Sequence, residues 1–425
     1  MLDIKLIRDN PNVVRANLRK REDKQKENLM DELLDKDRKW RQVLQDVDKM
    51  KQQRNIFSRK VAELKSRNED ASKVLKEAAL IPAKIKELEA EAEMLKNRSN
   101  WILMRLPNLL HDSVPLGKDE HDNVEIKKWG KPPKFNFEPK SHTDLVGHLM
   151  EEERAAKVAG RGFFYLKNKL AILDLALQRY ALDFLMKKRF TVMIPPYLMR
   201  REPYEGVTDL ADFDNVLYKV EGEDLHLIAT SEHPMAAMYK DEIINKDDLP
   251  LKFAGLSPCF RKEVGAHGKY TKGFFRMHHF HKVEQFVFST PEKSWDLHEE
   301  LQKNVETILK NLGIYFRIVN VCTGDIGTVA AKKYDTEFWM ADNAFREIGS
   351  NSNCTDYQAR RLNIKYREKE GQLPVGFVHT LNSTAIATSR VMIAIIEQNQ
   401  QKDGSVKIPK ALWKYCGFKE IEPFR

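Results

Sequence analysis

The chain has 425 residues, of which 42% are apolar and 32% are charged, and its net charge is +9. At about 150 residues per domain this length predicts two or three domains, and the apolar share is large enough for a core. The charge balance excludes an acidic, halophile-like surface; it is compatible with a polyanionic partner without identifying one.

Nothing in the sequence indicates a membrane segment or an export signal. No run approaches the ~18 apolar residues that a membrane helix needs, and Met1–Lys5 lacks the apolar core of a signal peptide. Four widely spaced cysteines without a Cys-x-x-Cys pair do not form a disulfide framework in a chain this large. These features predict a cytoplasmic protein without a membrane partner.

The first long feature along the chain is a charged stretch without glycine. Residues 21–100 contain 20 Lys or Arg and 17 Asp or Glu, a composition shared by disordered segments and long helices. Apolar residues nonetheless keep a heptad spacing from Leu33 to Leu64 and again from Val74 to Ile102, which disorder does not maintain. With a turn at Lys65–Asp70, the pattern predicts an antiparallel helical hairpin, a coiled coil, over about 27–102.

The rest of the chain divides into a linker and a larger domain. Proline and glycine over 105–142 predict a connection between an N-terminal domain, 1–104, and a second domain, 143–425. In the second domain, β-type runs come in adjacent groups instead of alternating with helices, which favours an antiparallel sheet flanked by helices. The fold class is therefore α+β. The runs are Phe190–Ile194, Leu225–Ala229, Lys282–Phe288 and Tyr315–Val321.

An arginine and a glutamate in this domain carry candidate chemistry. Arg261 and Glu263 would share one face of a strand, where an arginine fork can hold a carboxylate and a phosphate together. The alternative for an isolated Arg-x-Glu is a solvent-exposed salt bridge. The basic loop Gly265–Gly273 follows and is suited to approaching phosphates, although it matches no P-loop pattern.

Two further segments add to this set. Arg276, Phe280 and Glu284 are spaced by four, so a cation, an aromatic ring and a carboxylate would line one strand face and suit a nucleotide plus an amino acid. Farther on, a polar strand end leads into a buried helix over Val391–Glu397. Arg390 at its start would reach a phosphate with help from the helix dipole. Taken alone, this is also the pattern of an ordinary helix.

Together these strings resemble the class II aminoacyl-tRNA synthetases. Thr191–Pro196 is similar to motif 1, Phe260–Glu263 to motif 2 and Thr380–Glu397 to motif 3. Further strings narrow the resemblance to seryl-tRNA synthetases, in wording closest to archaeal and eukaryotic members of the zinc-free type. They are Thr230–Pro234, Val283–Phe286, Thr323–Gly327, Glu347–Ser350 and Ser352–Arg361.

The resemblance implies ATP-dependent attachment of L-serine to tRNA(Ser), and to tRNA(Sec) where it is present, through seryl-adenylate, with ATP and Mg²⁺ and without zinc. The implied catalytic residues are Arg261 and Arg390. The implied serine-binding residues are Thr230, Glu232, Arg261, Glu284, Asn382 and Thr384. The implied ATP-binding residues are Arg261, Lys262, Glu263, Arg276, Phe280, Glu347, Ile348, Gly349, Ser350 and Arg390, with Glu347 and Ser350 at the magnesium positions.

Individual roles follow from the same resemblance. Arg261 would bridge the serine carboxylate and the α-phosphate, Glu263 would read the adenine amino group, and Phe280 and Arg390 would cover the two faces of the ring. The family often has Asn-Gly-Ser-Gly where this chain has Asn382-Ser383-Thr384-Ala385, so Thr384 matches by position and hydroxyl, not by identity.

The histidines His278, His279 and His281 raise the question of zinc. No cysteine or further carboxylate is placed near them by spacing, so a structural or substrate-proximal role is favoured over metal ligation.

By resemblance, the helical hairpin binds tRNA across a homodimer, although its composition alone allows a solvated coiled coil without a ligand. Basic residues near its tip are the candidates for phosphate contact: Arg54, Arg59, Lys60, Lys65 and Arg67. Two alternatives stay open at this point: a non-catalytic coiled-coil adaptor, and a synthetase-derived ligase that charges a carrier protein.

Overall fold

The computed structural model describes residues 1–209, 216–263 and 272–423. The chain forms two compact units, Met1–Pro107 and Asn108–Arg425. Of the basic loop predicted at Gly265–Gly273, all but the last two residues lie outside the described part. No helix among the described residues is long and apolar enough to cross a membrane.

The first unit is helical. Its helices are α1 Ile4–Asp9, α2 Pro11–Lys20, α3 Lys24–Ser66 and α4 Ser72–Leu103. Helices α3 and α4 are antiparallel, because Arg98 pairs with Glu32 near the base (Nε–Oε1, 2.7 Å) and Lys51 pairs with Glu89 farther out (Nζ–Oε1, 2.7 Å). At 1.5 Å per residue, the 43 residues of α3 extend about 65 Å.

The apolar residues of the heptad pattern lie between the two long helices. Leu33, Val43 and Val47 of α3 are buried, as are Ile85 and Ala92 of α4. The antiparallel hairpin predicted from the sequence is therefore confirmed, with its turn beginning after Ser66.

The second unit combines helices with a large sheet. Its helices are α5 His142–Val146, α6 Glu152–Ala159, α7 Asn168–Lys187, α8 Arg201–Val207, α9 Glu232–Ala237, α10 Ser294–Asn311, α11 Tyr357–Leu362, α12 Thr388–Gln398 and α13 Trp413–Cys416. Its strands are β1 Val124–Trp129, β2 Met150–Glu151, β3 Tyr165–Leu166, β4 Thr191–Met193, β5 Leu198–Met199, β6 His226–Leu227, β7 Ile243–Asn245, β8 Leu251–Phe260, β9 His279–Ser289, β10 Phe316–Asn320, β11 Lys332–Trp339, β12 Phe345–Asn353, β13 Lys365–Arg367, β14 Gly376–Phe377, β15 His379–Ala387, β16 Val406–Lys407 and β17 Glu420–Ile421.

An eight-stranded sheet organises this unit, in the order β1-β10-β11-β12-β15-β9-β8-β4. Every neighbouring pair is antiparallel except β4 and β8. Each of the four predicted β-type runs coincides with a strand: three contain β4, β6 and β10, and the run Lys282–Phe288 lies within β9. The predicted α+β class, an antiparallel sheet flanked by helices behind a helical hairpin, is confirmed.

Strand β9 shows how the sheet separates the core from the site. Val283 and Val287 belong to the main core, which the helices α7, α10 and α12 complete. The alternate residues Phe286 and Phe288 belong to a second core on the other side. Because side chains alternate along a strand, Glu284 lies on the same side as these phenylalanines.

The prediction of a linker over 105–142 needs correction. Strand β1 lies inside that range and pairs with β10 at the edge of the main sheet, and Asn108 donates its side-chain amide to the carbonyl of Cys354 at 2.8 Å. Proline and glycine mark turns in this segment without making it a free connection, because its backbone groups find partners far away in sequence.

The packing of the hairpin predicts that a buried and an exposed leucine contribute differently to its free energy of unfolding. Leu33 is 0% exposed and Leu80 is 73% exposed. Leu33→Ala should lower the free energy of local unfolding of residues 24–103 by about 2–5 kcal/mol, whereas Leu80→Ala should change it by less than about 0.5 kcal/mol. Amide hydrogen exchange across the hairpin of the full-length chain measures both; equal losses would contradict a hairpin held by its apolar seam.

Candidate functional site

Two adjoining cavities in the second unit contain most of the predicted site residues. The small cavity, about 420 Å³, is lined by seven of them: Glu232, Arg261, Glu284, Glu347, Ser350, Asn382 and Thr384. The large cavity, about 530 Å³, is lined by Arg276, Glu347 and Arg390. Lys333 and Glu347 line both cavities, so the two are compartments of one cleft.

Strand pairing brings the residues of the small cavity together. Thr384 on β15 is the in-register partner of Glu284 on β9, although the two are a hundred residues apart. Glu232 comes from the first position of α9. Gly349 on β12 faces Thr384 so closely that an added Cβ would lie 2.6 Å from the Thr384 Cβ, so only glycine allows this approach.

A buried ion pair forms one wall of the small cavity. The Nζ of Lys282 lies 2.6 Å from Oε2 of Glu284, and both side chains are less than a tenth exposed. The hydroxyl of Thr384 donates to the same Oε2 at 3.2 Å. Burial raises the pKa of Glu284, and the positive charge of Lys282 opposes that shift.

Glu232 is a second acidic group in the lining of the small cavity. The amide Nδ2 of Asn382 donates to Oε1 of Glu232 at 3.0 Å and also lies 3.7 Å from the Sγ of Cys354. Burial, with the nearby charge of Glu284, raises the pKa of Glu232 to about 7. Near neutral pH this carboxyl therefore titrates, and a cationic ligand would hold it ionised.

The motif 2 residues do not lie on a strand, which corrects the prediction of a shared strand face. Strand β8 ends at Phe260, and Glu263 has a positive φ of 49°. Arg261 donates from Nε to the carbonyl of Ala229 at 3.3 Å, and its guanidinium lies 5.4 Å from the ring centre of Phe280. The backbone leaves the sheet at this point, so the alternation of a strand does not place Arg261 and Glu263 on one face.

Arg276 also lies outside the strand to which its spacing assigned it. Strand β9 begins at His279, and Arg276 donates from Nη1 to Oε2 of Glu263 at 2.7 Å. Phe280 and Glu284 are on β9 as expected, but Phe280 packs partly against the main core. Of the three residues predicted on one strand face, Phe280 and Glu284 therefore lie on β9. Arg276 lies outside the strand and pairs with Glu263.

The first turn of α12 places Arg390 over the large cavity. Its Nη1 donates to the carbonyl of Glu347 at 3.0 Å and lies 3.3 Å from Oε1 of the same residue, while its guanidinium lies 5.1 Å from the ring centre of Phe275. Burial acts to raise the pKa of Glu347, but the positive charges of Arg390, Lys333 and Arg261 outweigh it and lower that pKa. Glu347 is therefore ionised at neutral pH.

Glu347 and Ser350 fit a magnesium ion. Oγ of Ser350 lies 3.4 Å from Oε1 of Glu347, and a carboxylate with a hydroxyl are hard oxygen donors of the kind that Mg²⁺ takes alongside water and phosphate. Among the described residues, no group of three or more His, Cys, Asp or Glu side chains is arranged to hold a metal. Substrate oxygens would have to complete the set.

Six of the predicted substrate-site residues line neither cavity: Thr230, Lys262, Glu263, Phe280, Ile348 and Gly349. Oγ1 of buried Thr230 accepts the backbone N–H of Glu232 at 3.2 Å. Ile348 is buried beside Glu347, and Lys262 donates its backbone N–H to Val216.

The three histidines are engaged in local contacts. Nδ1 of His278 lies 2.5 Å from Oη of Tyr218, and His279 stacks on Phe260 at 5.1 Å. Nδ1 of His281 lies 3.2 Å from Oδ2 of Asp174. These contacts agree with the structural role favoured above.

The charged residues of the site that were not found from the sequence include Lys282, Lys333 and Asp335. Lys282 pairs with Glu284, and Asp335 on β11 is the in-register partner of Ser350 on β12. Burial raises the pKa of Asp335 to about 7. Lys282 and Asp335 lie on strands that carry other charged residues, so the pattern along the chain does not single them out.

In the first unit, the five predicted phosphate-contact residues are exposed. Arg67 is paired with Glu63 (Nη2–Oε1, 2.6 Å), and Arg54, Arg59, Lys60 and Lys65 lie on the outer part of α3.

Comparison with known proteins identifies the family of both units. Residues 1–110 match the family model for the seryl-tRNA synthetase N-terminal domain, and residues 217–399 match that for the class II tRNA synthetase core domain (G, H, P, S and T). The chain is 56% identical over 418 residues to the serine–tRNA ligase of Methanocella arvoryzae, which covers 98% of both chains.

Solved structures show the same relationship. The crystal structure of seryl-tRNA synthetase from Pyrococcus horikoshii complexed with ATP has a TM-score of 0.96 at 50% identity and covers 100% of both chains. That of the cytoplasmic serine–tRNA ligase from Naegleria fowleri in complex with AMP has a TM-score of 0.90 at 34% identity and covers 100% of this chain and 99% of the other. With matches at both ends and along its whole length, the chain belongs to the seryl-tRNA synthetases, a family of class II aminoacyl-tRNA synthetases.

Proposed function

We propose that the enzyme activates serine as seryl-adenylate within the two adjoining cavities and then transfers the seryl group to tRNA(Ser). Its family makes it an ATP-using serine–tRNA ligase. The observation that carries the proposal is the pairing of a small cavity, lined by buried carboxylates and hydroxyls, with a large cavity whose lining of five cations and five carboxylates includes Arg276, Lys333 and Arg390. The first suits a small polar amino acid and the second a triphosphate.

In the activation step a carboxylate oxygen of serine attacks the α-phosphorus of ATP, and the bond to the β-phosphate oxygen breaks to release pyrophosphate. Arg261, at the small cavity, would hold the serine carboxylate against the α-phosphate. No covalent enzyme nucleophile is needed, because orientation and charge stabilisation lower the barrier. A hydroxyl at the 3′ end of the tRNA then attacks the seryl carbonyl and displaces AMP.

Recognition of serine would divide between the two carboxylates of the small cavity. Glu232 would attract the α-ammonium, with Asn382 holding one of its oxygens in place. Glu284 and Thr384 would bind the hydroxyl, and Thr230 would support the turn that carries Glu232. Alanine leaves these buried polar groups without their partner, and such loss is costly.

The nucleotide would extend into the large cavity. Arg276 and Arg390 would contact the outer phosphates, and Phe280 would stack on adenine. Glu263, which spends one oxygen on Arg276, would use the other for the adenine amino group. Lys262, Ile348 and Gly349, next to Arg261 and Glu347 in the chain, would border the nucleotide through their backbone groups. Mg²⁺ held by Glu347 and Ser350 would neutralise phosphate charge.

The helical hairpin would bind the tRNA. Its basic outer residues present positive charge on an otherwise balanced surface, which supports local phosphate contact. We further propose a cytoplasmic homodimer that binds tRNA(Ser) across its subunits, and tRNA(Sec) where it is present.

The small cavity predicts the substrate directly. Among the twenty amino acids, serine should support ATP–pyrophosphate exchange with the highest kcat/KM, and alanine should be poorer by about 10⁴-fold because it leaves a buried carboxylate unsatisfied. Another amino acid supporting exchange while serine does not would contradict the proposal.

The hairpin predicts a separation of the two steps. Replacing residues 51–86 by a short Gly-Ser turn keeps the apolar contacts among Val43, Val47 and Ala92. This deletion should lower the rate of tRNA charging by about 100-fold or more and leave serine-dependent exchange unchanged. Charging and exchange assays on the same preparation compare the steps, and an equal loss of both would argue against a tRNA-binding role.

The pKa of Glu232, raised by burial to about 7, predicts a pH-dependent affinity for serine. Only the ionised carboxylate attracts the α-ammonium, so the KM for serine should rise about tenfold for each pH unit below 7 and level off above it. The Glu232→Gln variant should have a flat profile. Exchange kinetics between about pH 6 and pH 8 measure this; a constant wild-type KM would remove Glu232 from ammonium binding.

A further inference from the structure

Lys282 is a buried cation in the wall of the small cavity. It lies on β9 two residues before Glu284, lines the small cavity and is 6% exposed. Lysine is almost never buried to this degree without a specific partner, because desolvating its charge is costly. A specific partner must therefore stabilise the charge of Lys282.

The contacts of Lys282 converge on one oxygen of Glu284. Its Nζ lies 2.6 Å from Oε2, and the hydroxyl of Thr384 lies 3.2 Å from the same Oε2. The ammonium is also 3.5 Å from the Thr384 hydroxyl. Neither contact to the carboxylate involves Oε1.

The protons shared by the Lys282 ammonium, the Thr384 hydroxyl and the Glu284 carboxylate have one consistent arrangement. An ammonium only donates, so the oxygen of Thr384 accepts from Lys282 and its single proton points to Glu284. Oε2 of Glu284 thus receives two donors, and both belong to the protein. The other oxygen, Oε1, is left for a donor that enters the cavity.

We propose that Lys282 is a positioning residue that makes the site selective for an amino acid bearing a hydroxyl donor. By binding Oε2 it keeps Glu284 ionised and oriented, so that Oε1 accepts the substrate hydroxyl. This inference rests on the proposed function, since it names the group that prepares Glu284 for serine.

A different lysine on the same sheet supplies a matched control. Lys252 on β8 pairs with Glu300 through Nζ–Oε distances of 2.8 and 2.9 Å, and neither residue lines the two cavities. Lys252→Met removes a lysine–glutamate pair from the sheet without touching the small cavity. Because Lys252 and Glu300 are more exposed than Lys282 and Glu284, this variant controls for the loss of a lysine–glutamate pair from the sheet, and Lys282→Arg controls for the buried charge.

The test compares Lys282→Met, Lys282→Arg and Lys252→Met in ATP–pyrophosphate exchange with serine and with alanine. Lys282→Met should raise the KM for serine by about tenfold or more and lower the serine-to-alanine ratio of kcat/KM by a similar factor, with the KM for ATP changed by less than about twofold. Lys282→Arg should restore much of the ratio because it keeps the charge, and Lys252→Met should match the wild type.

A double substitution shows whether Lys282 acts through Glu284. If it does, adding Lys282→Met to Glu284→Gln should cause little further loss of the ratio, whereas independent roles would multiply the two losses. This double variant also has no unpaired buried charge, so it provides the measurement if Lys282→Met alone fails to fold.

The outcomes separate the two claims. A wild-type enzyme without serine-dependent exchange overturns the proposed function and this inference with it. If the wild type shows normal exchange, three results would overturn this inference alone. They are an unchanged serine-to-alanine ratio of kcat/KM in Lys282→Met, a rise in the KM for ATP equal to that for serine, and losses of the ratio that multiply in the double variant.

Discussion

The antiparallel pairing of β9 with β15 is the constraint on which the rest of the site depends. This register places Glu284 beside Thr384 inside the sheet. Strand β15 runs directly into α12, so the same pairing sets the position of Arg390, and β8 on the other side of β9 ends immediately before Arg261. A shift of one residue would turn Glu284 into the main core and Val283 into the cavity.

The charges of the site are balanced within a small volume. Two groups, Glu232 and Asp335, have pKa values raised by burial to about 7, while neighbouring cations lower the pKa of Glu347. Near neutral pH the cleft therefore contains carboxyls that ionise readily when a cationic ligand arrives, next to arginines suited to phosphate. This arrangement is already built into the protein, so little reorganisation is required when charged substrates bind.

The two units are stabilised by different kinds of contact. The hairpin depends on repeating apolar residues along two helices, with exposed ion pairs such as Lys84–Glu87 contributing little. The second unit depends on strand pairs that join distant parts of the chain, and it buries charges such as Lys282 beside a fixed partner, in this case Glu284, two residues along the same strand. The heptad repeat allows two long helices to pack along their length, and the sheet fixes the positions of the side chains that line the cleft.

The sequence by itself determined the hairpin, the α+β class, the passage from a strand into a helix just before Arg390, and the family. It did so because heptad spacing, strand grouping and the motif strings are local patterns. Only the tertiary structure decided that β1 joins the main sheet, that Arg276 pairs with Glu263, and that Lys282 and Asp335 belong to the cleft. The places of β1 and Asp335 depend on which strands are neighbours and in what register. The Arg276–Glu263 pair forms between two segments outside the strands, so spacing along the chain does not specify it either.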